Sequence, residues 1–154
     1  MCKPFATPQY PTSSTLTKAL ESIQKRFLKF MFLKTFKYYP YNMEYEELLQ
    51  GFEIHSLKAR RMTASLLFLH DIIRNRIVEP ELLSKINLQI PRMNSRTRCT
   101  FYSPPSRTGI LRNSVTSRAM DLYNKIHVNC PDCDVFHQSR NDFHKIIMQA
   151  ARNL

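Results

Sequence analysis

Glycine is nearly missing from this chain, with two in 154 residues, and tryptophan is missing altogether. So few glycines exclude the glycine-rich loops that cradle phosphates, and leave little material for the tight turns of a β-sandwich. Helices are favoured by default. No apolar run exceeds four residues, as in the stretch LLFL from Leu66, and the opening MCKPFATPQYPTSS has no apolar core of signal-peptide length. Neither a bilayer span nor a secretory leader is expected. The four cysteines Cys2, Cys99, Cys130 and Cys133 are too few and too unevenly placed for a secreted disulfide scaffold. Reduced thiols in an intracellular protein, nuclear or cytoplasmic, are expected instead. Acid is scarce too: 12 Asp and Glu stand against 23 Lys and Arg.

The net charge of +11 that results attracts polyanions and speeds encounter with them, which makes nucleic acid the first candidate partner. Anionic membrane and acidic proteins answer to the same charge. Hydrophobic residues make up 43% of the chain, enough to build one core of ordinary size. The length is too small for a polymerase with all its subdomains.

Along the chain, residues 1–15 hold Pro4, Pro8 and Pro11 among Ser and Thr and read as an extended lead-in. A helical core is expected over 16–91, with helices near 16–34, 44–50, 57–74 and 80–86. In the first, Leu16, Leu20, Ile23, Phe27, Phe30 and Met31 recur on one stripe that points to a core, and Lys18, Lys25, Arg26 and Lys29 fall roughly opposite. Gly51 is the expected C-terminal cap of the second, Ser56 the N-cap of the third, and Pro80 the first residue of the fourth. The third, with Met62, Leu66, Leu67, Leu69, Ile72 and Ile73 around most of its circumference, is the expected centre of packing. Residues 92–113 carry Arg92, Arg96, Arg98, Arg107 and Arg112, no acid, and the pair Pro104 and Pro105, and read as a long exposed basic loop with room for a brief extended stretch. Residues 114–154 supply two further helices, near 114–126 and 139–152. The fold expected is all-α: an irregular cluster of about five helices with a long arginine-rich loop.

The words LESIQKRFLKF from Leu20, SLKARRMTASLLFLHDIIRNRI from Ser56 and EPELLSKINLQIPRMNSRTR from Glu79 occur in that order. After them come RTGILRNSVTSRAMDLYNKI from Arg107 and DVFHQSRNDFHKII from Asp134, and PQYPT from Pro8 precedes them all. The layout resembles the region that follows the polymerase core in jockey-like non-LTR retrotransposon reverse transcriptases, and the resemblance covers nearly the whole chain. It implies a parent polypeptide with an endonuclease and an RNA-directed DNA polymerase upstream, of which this chain is a truncated C-terminal, helical tail beyond the thumb. Polymerisation needs paired aspartates holding two divalent cations, and no Asp-Asp pair occurs in the sequence. No catalytic residue and no cofactor is therefore carried over, and the chain reads as a non-enzymatic accessory region.

The candidate nucleic-acid-binding residues are Lys25, Arg26 and Lys29 on the first helix and Arg92, Arg96, Arg98, Arg107 and Arg112 in the loop, through phosphate contacts to RNA or DNA. Each has a plainer reading as a solvated charge. Phe101 and Tyr102 are candidates for stacking on bases, against local packing. Cys130, Cys133, His137 and His144 carry ligand types that zinc favours, at a spacing poor for a structural site. Whether they bind zinc is open, and no metal is assigned. His55 and His70 read as ordinary residues on helix boundaries and faces. The upstream thumb of the parent protein is a second expected partner, and a membrane is not expected as one. The alternative to nucleic-acid contact is an inert relic or a helical module that docks on protein.

Overall fold

The computed structural model describes residues 14–90, 99–103, 105, 108 and 113–151. Among them the fold is all-α, with α1 (Ser14–Phe36), α2 (Tyr45–Gly51), α3 (Leu57–Ile73), α4 (Pro80–Ser84), α5 (Val115–Asn129) and α6 (Arg140–Ala150). The expected lead-in lies outside the described residues up to 13, while Ser14 and Thr15 already belong to α1. Most of the expected basic loop is also outside them. Two compact units divide the chain, Gln9–Arg60 and Arg61–Leu154, and each has a core of its own.

In the first unit α1 is held by polar residues. Glu21 accepts from the Tyr45 hydroxyl at 2.7 Å and, with its other oxygen, from the Lys58 backbone N–H at 2.9 Å. Burial and the Glu21 carboxylate push the Tyr45 phenol above its ordinary value, so the hydroxyl remains a donor. One turn on, Gln24 donates to the His55 carbonyl at 3.2 Å and accepts from the Arg60 guanidinium at 3.1 Å. Leu28 and Phe32 continue this face and pack with Leu48 and Leu49 of α2. Ser56 caps α3 as expected, its hydroxyl accepting from Ala59 N–H at 3.1 Å.

Gly51 does not cap α2. It is the last helical residue and its φ is not positive; the left-handed residue is Glu53, with φ 53°. Glu53 N–H donates to Gln50 O at 3.0 Å and Ile54 N–H to Leu49 O at 2.8 Å, the paired bonds of a Schellman ending. The reason is packing: Ile54 joins the cluster that contains Leu49, so the chain must reverse one residue before it, at Glu53. The same pair of bonds ends α3, from Asn75 to Ile72 O and from Arg76 to Asp71 O, with Asn75 at φ 53°.

In the second unit, α3, α5 and α6 meet around Tyr123, which is 2% exposed. Its hydroxyl donates to the Cys133 carbonyl at 2.8 Å and accepts from Val135 N–H at 3.3 Å. One phenol thus satisfies two backbone groups of the segment after α5, and burial pushes it up to about 12. His70 lies on the packed face of α3: it is fully buried, its ring 4.9 Å from that of Phe143 and its Nε2 3.2 Å from the Gln138 carbonyl. Beside it Asp71 accepts from Arg140 Nε at 3.1 Å, and Arg74 donates to the Phe136 carbonyl at 2.7 Å. The end of α3 is therefore bonded to the entry of α6.

Within the expected exposed loop, Phe101 is not exposed and lies in a brief extended stretch. Phe101 is 1% exposed and meets Tyr123 edge-on at 5.1 Å between ring centroids. Asn124 holds it there: its Oδ1 accepts from the N–H groups of Thr100 and Phe101, both at 3.1 Å, and its Nδ2 donates to the Phe101 carbonyl at 2.7 Å. The amide on α5 acts as a strand partner, and Leu88 supplies an antiparallel bridge on the other side. Base stacking by Phe101 is thereby removed, because both its ring and its backbone are occupied.

Two stability changes follow. A Cβ on Gly51 would meet nothing within 4 Å, so Gly51→Ala is expected to stabilise by roughly 0.5–1 kcal/mol in urea denaturation; a loss would restore Gly51 as the left-handed cap. Phe101→Ala is expected to destabilise the second unit by roughly 3–5 kcal/mol, and a change near zero would return the residue to an exposed loop.

Candidate nucleic-acid interface

At about 100° per residue, α1 divides lengthwise into three sectors. Glu21, Gln24, Leu28 and Phe32 form the packed one. Leu16, Leu20, Ile23, Phe27 and Phe30 form the second, which was expected to enter a core; instead these residues are 38–61% exposed. The bonding of Glu21 and Gln24 accounts for the correction, since a helix with one face committed to α2 and the start of α3 cannot turn the adjacent stripe inward. Lys18, Lys25, Arg26 and Lys29 form the third sector.

Lys25 and Arg26 are exposed and Lys29 is half-buried. None of the three forms an ion pair among the described residues. The single acid of α1, Glu21, is hydrogen-bonded on the packed face and pairs with none of these cations, so the helix keeps an excess of positive charge, with Lys18, Lys25, Arg26, Lys29 and Lys34 against one acid. Three of the unit's other acids sit at the start of α2, where Glu47 accepts from Glu44 N–H at 3.2 Å and Glu46 lies in the first turn. There they favour the positive end of that helix. Positive and negative charge are thus carried on different elements. Arg92, Arg96, Arg98, Arg107 and Arg112 lie outside the described residues.

Charge alone did not reveal what stands beside the basic sector. Lys29 Nζ lies 5.5 Å from the centroid of the Tyr39 ring, and Lys34 Nζ lies 5.5 Å from that of Phe30, both within cation–π range. Tyr38, Tyr39 and Tyr41 follow α1 and are exposed, Tyr41 at 80%. The signal was available: Lys34 and Lys37 punctuate the run from Phe27 to Tyr41. It was hidden because Phe27 and Phe30 lie on the apolar stripe and so read as core.

The candidate zinc ligands are not brought together. Cys133 is fully buried in the second core, and burial, then Cys130 and Asp134, push its thiol up to about 12. His137 lies at the surface with its Nδ1 2.7 Å from Asp134 Oδ2. Among the described residues no group of three His, Cys, Asp or Glu side chains could hold a metal ion, and no helix is long and apolar enough to cross a membrane.

No family model, curated protein or solved structure matches this chain.

Because thiol reactivity follows the thiolate fraction and access, Cys133 is expected to react with iodoacetamide at pH 8 at least about 100-fold more slowly than half-buried Cys130. Peptide mapping by mass spectrometry separates the two. Comparable rates would contradict the burial of Cys133.

Proposed function

We propose that this chain acts as a non-catalytic contact for template RNA or target DNA, as the helical tail of a jockey-like non-LTR retrotransposon reverse transcriptase. The observation that carries the proposal is the basic sector of α1: Lys25, Arg26 and Lys29 share one side of a helix with five cations and one acid, and none of the three forms an ion pair among the described residues. Such a surface binds the nucleic-acid backbone by displacing its condensed counterions, without reading sequence. The ordered words that resemble the retrotransposon region support the assignment of the parent, and the lack of an Asp-Asp pair supports the absence of polymerase chemistry.

A second reading is favoured by a different observation. Leu16, Leu20 and Ile23 are exposed on α1, as they would be on a face that packs against the missing thumb. Under this reading the isolated chain aggregates or binds a hydrophobic dye and does not bind RNA.

Three cations on a single-stranded ligand contribute about 2 to the slope of log affinity against log salt. Replacing Lys25, Arg26 and Lys29 by alanine is expected to lower that slope by about 2 and to weaken low-salt binding at least about tenfold. Fluorescence anisotropy with labelled RNA over a salt series checks this; an unchanged slope, or no binding by the parent chain, would reject phosphate contact by α1.

A further inference from the structure

Resting on the phosphate-contact reading, we propose that the nucleic acid held by this unit is single-stranded, with its bases stacked on exposed rings at the C-terminal end of α1. Six large aromatic residues from Phe27 to Tyr41 are exposed by between 41 and 80% within one small unit. Hydrophobic burial should have drawn at least some of them inside. The rings stand among cations: Lys29 lies over Tyr39 and Lys34 over Phe30.

A duplex would leave this arrangement unused. Its phosphates could meet Lys25 and Arg26, but its bases are already stacked on one another and their faces are closed to protein. A single strand presents alternating phosphate and open base faces, which match alternating cation and ring. Tyr39 and Tyr41 have centroids 4.7 Å apart with ring planes inclined at 57°, so the two rings are not stacked flat on each other. With Lys29 beside one ring, a phosphate at the ammonium places the neighbouring base near the tyrosines.

An anionic membrane fits less well. A helix lying in a bilayer surface flanks its apolar face with cations on both sides, whereas here one flank of the apolar stripe is the packed edge at Gln24 and only the other carries Arg26 and Lys29. The phenol hydroxyls of Tyr38, Tyr39 and Tyr41 also suit a ligand with hydrogen-bonding edges beside its apolar faces.

The full chain should be titrated at low salt with three ligands: oligouridylate, an abasic ribose-phosphate strand of equal length, and an RNA duplex of equal charge. Stacking predicts that oligouridylate binds at least about tenfold more tightly than the abasic strand. It also predicts that a Tyr39→Leu, Tyr41→Leu variant, folded by circular dichroism, loses that preference and keeps the salt slope. Equal affinity for all three ligands would overturn the stacking proposal and leave phosphate contact standing. Failure to bind any of them, or cosedimentation with phosphatidylserine vesicles in their place, would overturn both.

Discussion

The pair Glu21 and Gln24 decides how this protein meets its surroundings. Four hydrogen bonds from two adjacent turns of α1 reach Tyr45, His55, Lys58 and Arg60. Side-chain groups that are hydrogen-bonded and partly shielded from water are costly to leave unmatched. Together with Leu28 and Phe32 they commit one face of the helix. The apolar stripe and the basic sector are left outward on the same element, and the proposed ligand surface is a consequence of that commitment.

A comparable economy holds the second unit. The Tyr123 hydroxyl and the Asn124 amide are neighbours on α5, and between them they satisfy backbone groups of Thr100, Phe101, Cys133 and Val135. Two irregular segments are fixed to one helix without forming a sheet. The chain has little glycine for tight reversals, and it accepts left-handed backbone at Lys37, Glu53 and Asn75. Only Asn tolerates that conformation readily among the three. The end of α2 is thus set by where the following apolar residue, Ile54, must return.

Metal chemistry and surface charge are separated in the same way. Cys133 contributes apolar volume to a core, while His137 sits at the surface beside Asp134. Although burial opposes it, the backbone N–H of Phe136 together with His137 holds the Asp134 carboxyl below its ordinary value, so the acid serves the turn before α6. Cys133 and His137, two of the four candidate ligands, thereby take structural parts with no shared centre.

Much of the helical framework was legible in the residues alone. The periodicity of α3, α5 and α6, the cap Ser56 and the N-terminal Pro80 all act within one or two turns of chain, where spacing and backbone chemistry suffice. The positive charge was legible for the same reason. What spacing could not settle was which of two amphipathic readings of α1 would be packed, because the choice depends on partners more than twenty residues away, at Tyr45, His55 and Lys58. The partners that bury Phe101 and His70 were out of reach likewise, since Asn124, Tyr123 and Phe143 meet them only across the fold. The sequence by itself determined the helices, the packed centre at α3 and the sign of the field; the tertiary structure alone decided which face of α1 is core and that Phe101 is buried, because burial there belongs to the distant groups that meet a side chain and not to its neighbours along the chain.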